Sequence, residues 1–198
     1  MLIARTLRNI QAGIKYPFWI LKGRPAPDNH LAKKKRILKI FKEGDYTTFI
    51  ETGTFYGQML KFSSNFFEKS ISIEIYKPLY EMNNRDFKNN NKVAILFGDS
   101  STQLKKALEL STGKIIFWLD GHYSGDGTGK GRQTSPIIDE LENIKKHKRK
   151  DHCILIDDAR LFNGTDGYPT LEETKNSLLM INQDYKVYID HDCIVCKL

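Results

Sequence analysis

Cysteine is scarce in this chain. Three occur among 198 residues, at Cys153, Cys193 and Cys196. An odd, sparse count excludes a disulfide framework and points to free thiols in a reducing, cytoplasmic setting. Cys193 and Cys196 sit in a β-like run, where residues three apart face opposite ways, so a metal knuckle is excluded as well. No apolar run is long enough to cross a bilayer. Arg5, Arg8 and Lys15 interrupt any signal-peptide core. Acid is nearly missing from the first quarter. Residues 1–44 hold eleven Lys/Arg against two acids, a net +9, whereas residues 45–198 hold twenty against twenty-two, a net −2. The basic character therefore belongs to an N-terminal extension, and specific nucleic-acid binding is not expected.

Within that extension Ile3, Leu7, Ile10, Ile14 and Phe18 fall at helical spacing, with Arg5, Arg8, Gln11 and Lys15 between them. A basic amphipathic helix ending in Tyr16-Pro17-Phe18-Trp19 suits two places. It can lie on an anionic lipid surface through residues 1–22, as at the inner face of a membrane. It can equally cover the core or a partner in a homodimer. Gly23-Arg24-Pro25-Ala26-Pro27 reads as a linker. Lys33-Lys34-Lys35-Arg36 is expected to be the solvated start of a second helix.

From residue 46 short apolar runs alternate with longer helical segments. Strands are expected at 47–51, 70–75, 93–97, 115–119, 153–157, 185–189 and 193–197. Helices are expected at 57–67, 78–89, 101–110, 136–147 and 170–182. Alternation of this kind implies a parallel sheet with helices on both faces, and the spacing of the last two strands suits a hairpin. The expected organisation is a 1–44 extension and linker followed by one α/β domain over 45–198.

Ligands of such sheets bind beyond the carboxyl ends of the strands. Every one of the first five ends carries an acid: Glu51 in ETGTFYG, Glu74, Asp99 in GDS, Asp120, and the pair Asp157-Asp158. The glycines of ETGTFYG are four apart, so the phosphate-binding G-x-G-x-x-G of nicotinamide enzymes is missing. Gly53 permits a tight turn and a close ligand approach. Glu74, about twenty residues on, suits the two hydroxyls of a ribose, and Asp99 suits a base.

These motifs, in this order, resemble those of class I S-adenosylmethionine-dependent methyltransferases over residues 45–198. The resemblance implies a Rossmann-like sheet of seven strands, mostly parallel, with the last antiparallel. It implies S-adenosylmethionine as cofactor, its methionine end held by Glu51, Gly53, Thr54 and Gly57 with Thr52, Tyr56 and Asp120 beside them. Glu74 would take the ribose, and Asp99 and Ser100 would border the adenine.

Asp120 and Asp157-Asp158 close neighbouring strands. Three carboxylates brought together repel unless a cation joins them, and oxygen-only ligands favour Mg²⁺ or Ca²⁺. The arrangement is similar to metal-dependent O-methyltransferases, including macrolide-sugar enzymes of the tylosin and mycinamicin pathways. That likeness implies Mg²⁺ on Asp120, Asp157 and Asp158. The acids could instead cap helices. His122 is either a general base, with Asp120 beside it, or a bystander. The glycine-rich run SGDGTGKGRQTSP, residues 124–136, is expected to form a lid. Lys130 and Arg132 would meet an anionic acceptor, Arg160 would stand on the acceptor side, and Tyr123 and Tyr168 would stack on a sugar or merely pack. The expected activity is metal-assisted O-methylation of a sugar or glycan-precursor hydroxyl. The alternatives are a metal-independent methyltransferase acting on protein, RNA or another small molecule, and a non-catalytic cofactor-binding or membrane-associated module.

Overall fold

The computed structural model of the chain describes residues 2–122, 125, 129, 131 and 133–198, with side chains from Arg5 onward. The seven apolar runs become β1 (Tyr46–Thr52), β2 (Lys69–Glu74), β3 (Val93–Phe97), β4 (Lys114–Leu119), β5 (Cys153–Asp157), β6 (Lys186–Asp190) and β7 (Cys193–Lys197). No strand end departs from its expected position by more than one residue. They form one sheet in the order β3-β2-β1-β4-β5-β7-β6. Strands β1 to β5 pair in parallel, and β7 runs antiparallel to both β5 and β6.

Period-two alternation sends each strand's side chains into two separate cores. Ile115, Phe117 and Leu119 of β4 join one cluster, while Ile116 and Trp118 join the other. Both faces are therefore covered, which explains why β4 reads as an unbroken apolar run. The same alternation parts the cysteines. Cys196 lies in the first core and Cys193 in the second, both as buried free thiols.

Among the described residues seven α-helices accompany the sheet: α1 (Leu2–Leu21), α2 (His30–Glu43), α3 (Gln58–Ser63), α4 (Lys77–Phe87), α5 (Ser100–Leu110), α6 (Ile137–Lys146) and α7 (Leu171–Leu179). Helix α3 stops four residues short of its expected end. There Ser63 Oγ and Ser64 Oγ donate back to the carbonyls of Leu60 and Lys61, an alternative to continuing the helix. Helix α2 starts at an N-cap, Asn29, whose side chain accepts from Leu31 N. Its Ile37 and Ile40 enter the second core beside Phe49, Phe67 and Trp118.

One polar expectation is corrected by this packing. The run Lys33–Arg36 is not a solvated helix start. Arg36 is buried and binds Asp28 Oδ2 and Asp190 Oδ2, each at 2.7 Å, and Lys33 turns inward to Asp157. His152 also packs inward. It is fully buried, its Nδ1 accepts from Ile115 N at 3.2 Å, and burial lowers its pKa to about 3, so the ring is neutral.

Candidate functional site

Strand order and register fix what meets at the carboxyl edge. Thr52 of β1 is opposite Ile73 of β2 and Leu119 of β4, and Leu119 is opposite Ile156 of β5. The next residues along, Gly53, Glu74, Asp120 and Asp157, therefore share one rim. The chain order reverses between β1 and β4, and a crevice opens at such a point. A cavity of about 350 Å³ lies there, walled by Gly53, Phe55, Glu74, Asp99, Asp120 and His122 among others. That volume falls in the range of small-molecule sites.

The first wall is the turn after β1. Gly53 has φ 82°, and a Cβ there would stand 2.4 Å from the carbonyl oxygen of Asp120. Only glycine lets β1 and β4 close to this separation. Phe55 also has a left-handed φ, 48°, and its N–H donates to Glu74 Oε2 at 2.8 Å. Glu74 Oε1 accepts from Tyr76 N at 2.8 Å. The backbone N–H groups of Ile75 and Thr54 also point at this carboxylate, which lines the cavity.

Several residues expected at the cavity lie behind it instead. Glu51 is buried within the sheet and accepts from Ser72 Oγ at 2.7 Å, which in turn meets Thr54 Oγ1 at 2.5 Å. Burial, with Asp120 and Glu74 nearby, pushes the Glu51 carboxyl up to about 8. Thr52 Oγ1 accepts from Asp120 N, and Gly57 faces Asn83 Oδ1 under the loop. Tyr56 stacks beneath Arg8, 4.4 Å away, rather than on the cavity. Glu51, Thr52, Thr54, Tyr56 and Gly57 thus build the floor, while Gly53 and the unforeseen Phe55 form the wall. Asp99 and Ser100 do line the cavity. Asp99 Oδ1 also caps α5 by accepting from Ser101 N at 2.9 Å. Gly129 and Gly131 of the glycine-rich run close the far side, where a Cβ would meet Ile75 and Asp99 respectively. Tyr123, Lys130 and Arg132 lie outside the described residues.

The second wall holds the acids. They converge as the sequence implies, but each already has a cationic partner. Lys33 reaches across Trp118 from α2 to bind Asp157. Burial opposes the charge on Lys33, yet Asp157, Asp120 and Asp158 outweigh it and hold the ammonium above its ordinary range. Asp158 sits at a left-handed φ of 58°, and its carboxylate takes Arg160 Nη1 at 2.7 Å and faces His122 Nε2 at 3.2 Å. Burial would raise it, but His122 and Arg160 win and bring it down to about 2. Asp120 faces His122 Nδ1 at 3.4 Å. Burial lifts both Asp120 and Asp157; the charges of Asp120 and Asp158 add to the rise at Asp157, and that of Asp158 adds to the rise at Asp120. Both carboxyls therefore keep a proton to higher pH than an exposed acid does.

His122 stands between two carboxylates, one at each ring nitrogen. A doubly protonated ring can donate to both, and a neutral ring to one only. Burial disfavours the imidazolium, but Asp158 and Asp120 overcome it and raise its pKa. The His122 ring is therefore expected to titrate above 6.5 by NMR, and Asp158→Asn to lower that value. The sign for stability follows. This clamp contributes fully below the unfolded value near 6.5, and the contribution is lost as pH rises through the raised one.

Arg160 Nη1 ties Asp158 to Asp192, and the side chain is partly exposed. Tyr168 is buried against His122, with ring centroids 5.9 Å apart, and against Phe162. It buttresses His122 and shows no open face for a sugar. Glu140 is a further residue of this region that sequence reasoning missed. It is buried under Gly121, and burial pushes its carboxyl up to about 7.

No protein-family model and no curated protein matches the chain. Solved structures do match. An O-methyltransferase from Bacillus cereus in complex with SAH superimposes with a TM-score of 0.59 at 12% identity, over 93% of this chain and 88% of that one. This is a Rossmann-like methyltransferase fold. A TehB-like SAM-dependent methyltransferase from Corynebacterium glutamicum gives 0.54 at 11% identity, over 95% and 97% of the two chains. The N-methyltransferase NodS from Bradyrhizobium japonicum gives 0.53 at 13%, over 83% and 92%. Identities this low speak for the fold. The chemistry has to be argued from the side chains.

Proposed function

We propose that this chain is a methyltransferase that uses S-adenosylmethionine to methylate a hydroxyl of a small-molecule or glycan-precursor acceptor. One observation carries the reading. A cavity at the switch point of a methyltransferase fold presents, in order, a glycine cradle at Gly53, the Glu74 carboxylate, the Asp99–Ser100 rim and the Asp120–His122 pair. When bound, S-adenosylmethionine supplies an electrophilic methyl group that the acceptor oxygen takes as the carbon–sulfur bond breaks. Glu74, held in place by backbone N–H groups at the cavity wall, would meet the ribose hydroxyls. Asp99 and Ser100 would border the base. Asp120 lines the cavity, its carboxyl is raised by burial, and it would accept the acceptor's proton. His122, with one ring nitrogen facing Asp120 and the other facing Asp158, would orient that carboxylate rather than serve as the base. The acceptor class is inferred from the likeness in sequence to sugar O-methyltransferases at Asp120 and Asp157-Asp158.

The expected metal set of Asp120, Asp157 and Asp158 does not fit a cation as written. Lys33 already meets Asp157, and Arg160 with His122 already meets Asp158, so the repulsion that called for Mg²⁺ is relieved from within the chain. A second reading is favoured by one spacing. Ligand atoms of Asp120, His122 and Asp158 lie within 4.8 Å of one another and would suit a divalent ion. Calorimetry with S-adenosylhomocysteine decides among these. Micromolar binding that is indifferent to Mg²⁺ and to chelator, and weakened more than about tenfold by Glu74→Ala, is the expected result. A Mg²⁺ heat that disappears in Asp158→Asn would put the second reading first. Absence of S-adenosylhomocysteine binding would overturn the methyltransferase reading altogether.

A further inference from the structure

Helix α1 is built inside out. Its inward face is polar and aromatic. Arg5 Nε donates to Tyr56 O at 2.8 Å, and its Nη2 binds Asn83 and Asp86. Asn9 Oδ1 accepts from Lys34 Nζ at 2.7 Å, Ala12 O accepts from Asn29 Nδ2, Tyr16 lies under Lys35, and Trp19 Nε1 donates to Pro25 O. Steps of three and four residues place Arg5, Asn9, Ala12, Tyr16 and Trp19 on one side of the helix. On the opposite side the same steps align Leu7, Ile10, Ile14, Phe18 and Leu21, which are 52% to 83% exposed. Sequence reasoning left open whether this stripe covers the core. It does not: the stripe points away from the domain. A contiguous apolar stripe of this length in water marks an interaction surface.

Charge decides what it meets. Residues 1–27 carry five Lys/Arg and no Asp or Glu. Lys15 and Lys22 lie along one flank of the stripe, and Arg24 follows the helix. A second copy docked stripe to stripe would bring two such acid-free segments together with nothing there to neutralise them. An anionic lipid surface offers both hydrocarbon for the stripe and phosphate for the flank. No described helix is long and apolar enough to cross a membrane, so α1 would lie on the surface.

We infer that α1 is an interfacial anchor that seats the protein on anionic phospholipid. The anchor is coupled to the cavity. Arg5 and Arg8 clasp Phe55 and Tyr56, and Phe55 is a cavity wall.

Flotation of the full chain with vesicles tests this independently of the catalytic reading. Vesicles containing phosphatidylglycerol are expected to carry the protein, and pure phosphatidylcholine to carry at least about tenfold less. The double variant Ile14→Ser, Phe18→Ser is expected to lose at least about tenfold of that partition while keeping its affinity for S-adenosylhomocysteine. Lys15→Glu with Lys22→Glu should lose it as well. Equal flotation of wild type and the Ile14/Phe18 variant would overturn the anchor. So would a wild-type dimer in solution that the same variant dissociates, with no vesicle binding, since the stripe would then be a seam between copies.

Discussion

Lys33→Met is expected to destabilise the protein by about 3 kcal/mol at pH 8, the order found when one partner of a buried ion pair is removed. For a chain of this length that is a fall in Tm of roughly 8 °C. The cause is local. Asp157 is almost wholly buried, and Asp120 and Asp158 crowd it, so the Lys33 ammonium is the nearest positive charge it has. Without Lys33 the folded carboxyls bind protons more tightly than the unfolded ones. Folding then takes up protons, and stability falls as pH rises. The loss should be greatest at pH 8 and shrink towards pH 5, where the acids carry protons in any case. Asp157→Asn in the Lys33→Met background removes the stranded charge and should restore most of the stability. Thermal unfolding of the four proteins across pH 5 to 8 completes the cycle. A Lys33→Met protein as stable as wild type at pH 8 would show that Lys33 does not hold the acid cluster together.

This ion pair also marks where the sequence stopped being legible. Strands, helices, their order and the convergence of acids at one rim all follow from local periodicity and from general rules of parallel sheets. Lys33 and Asp157 are 124 residues apart, and no local pattern joins them. A signal did exist. Lys33, Ile37 and Ile40 share one face of α2, and the two isoleucines are buried, so a lysine in register with them should have been suspected of pointing inward. Read instead as part of a run of four cations, it passed for surface, and the acids it neutralises seemed to need a metal. Phe55 was hidden for a different reason. A bulky residue at positive φ is rare enough that a turn motif does not announce it. The floor residues Glu51, Thr52 and Thr54 were placed one layer too high, because a motif gives sequence order and not depth. Glu51 and Thr52 belong to β1, and Thr54 turns its hydroxyl back to Ser72 Oγ.

The largest loss of ligand binding is expected from the smallest change, Gly53→Ala. At φ 82° an L-residue costs roughly 1–2 kcal/mol in backbone conformation alone. The added Cβ would also lie 2.4 Å from the Asp120 carbonyl oxygen, a backbone atom fixed because Asp120 N donates to Thr52 O and Oγ1. Relief requires the ends of β1 and β4 to part, and that moves Asp120 and His122 away from the cavity wall they share with Gly53. Affinity for S-adenosylhomocysteine should therefore fall by about 100-fold or more, close to 3 kcal/mol, while circular dichroism stays native. Gly13→Ala is the matching control, since a Cβ there meets nothing within 4 Å. It lies in the interior of α1, where alanine should stabilise by about 0.5–1 kcal/mol and leave binding untouched. If Gly53→Ala bound the ligand as wild type does, the ligand would not depend on the closure of β1 against β4. The cavity at that junction would then be the wrong place to look for the chemistry.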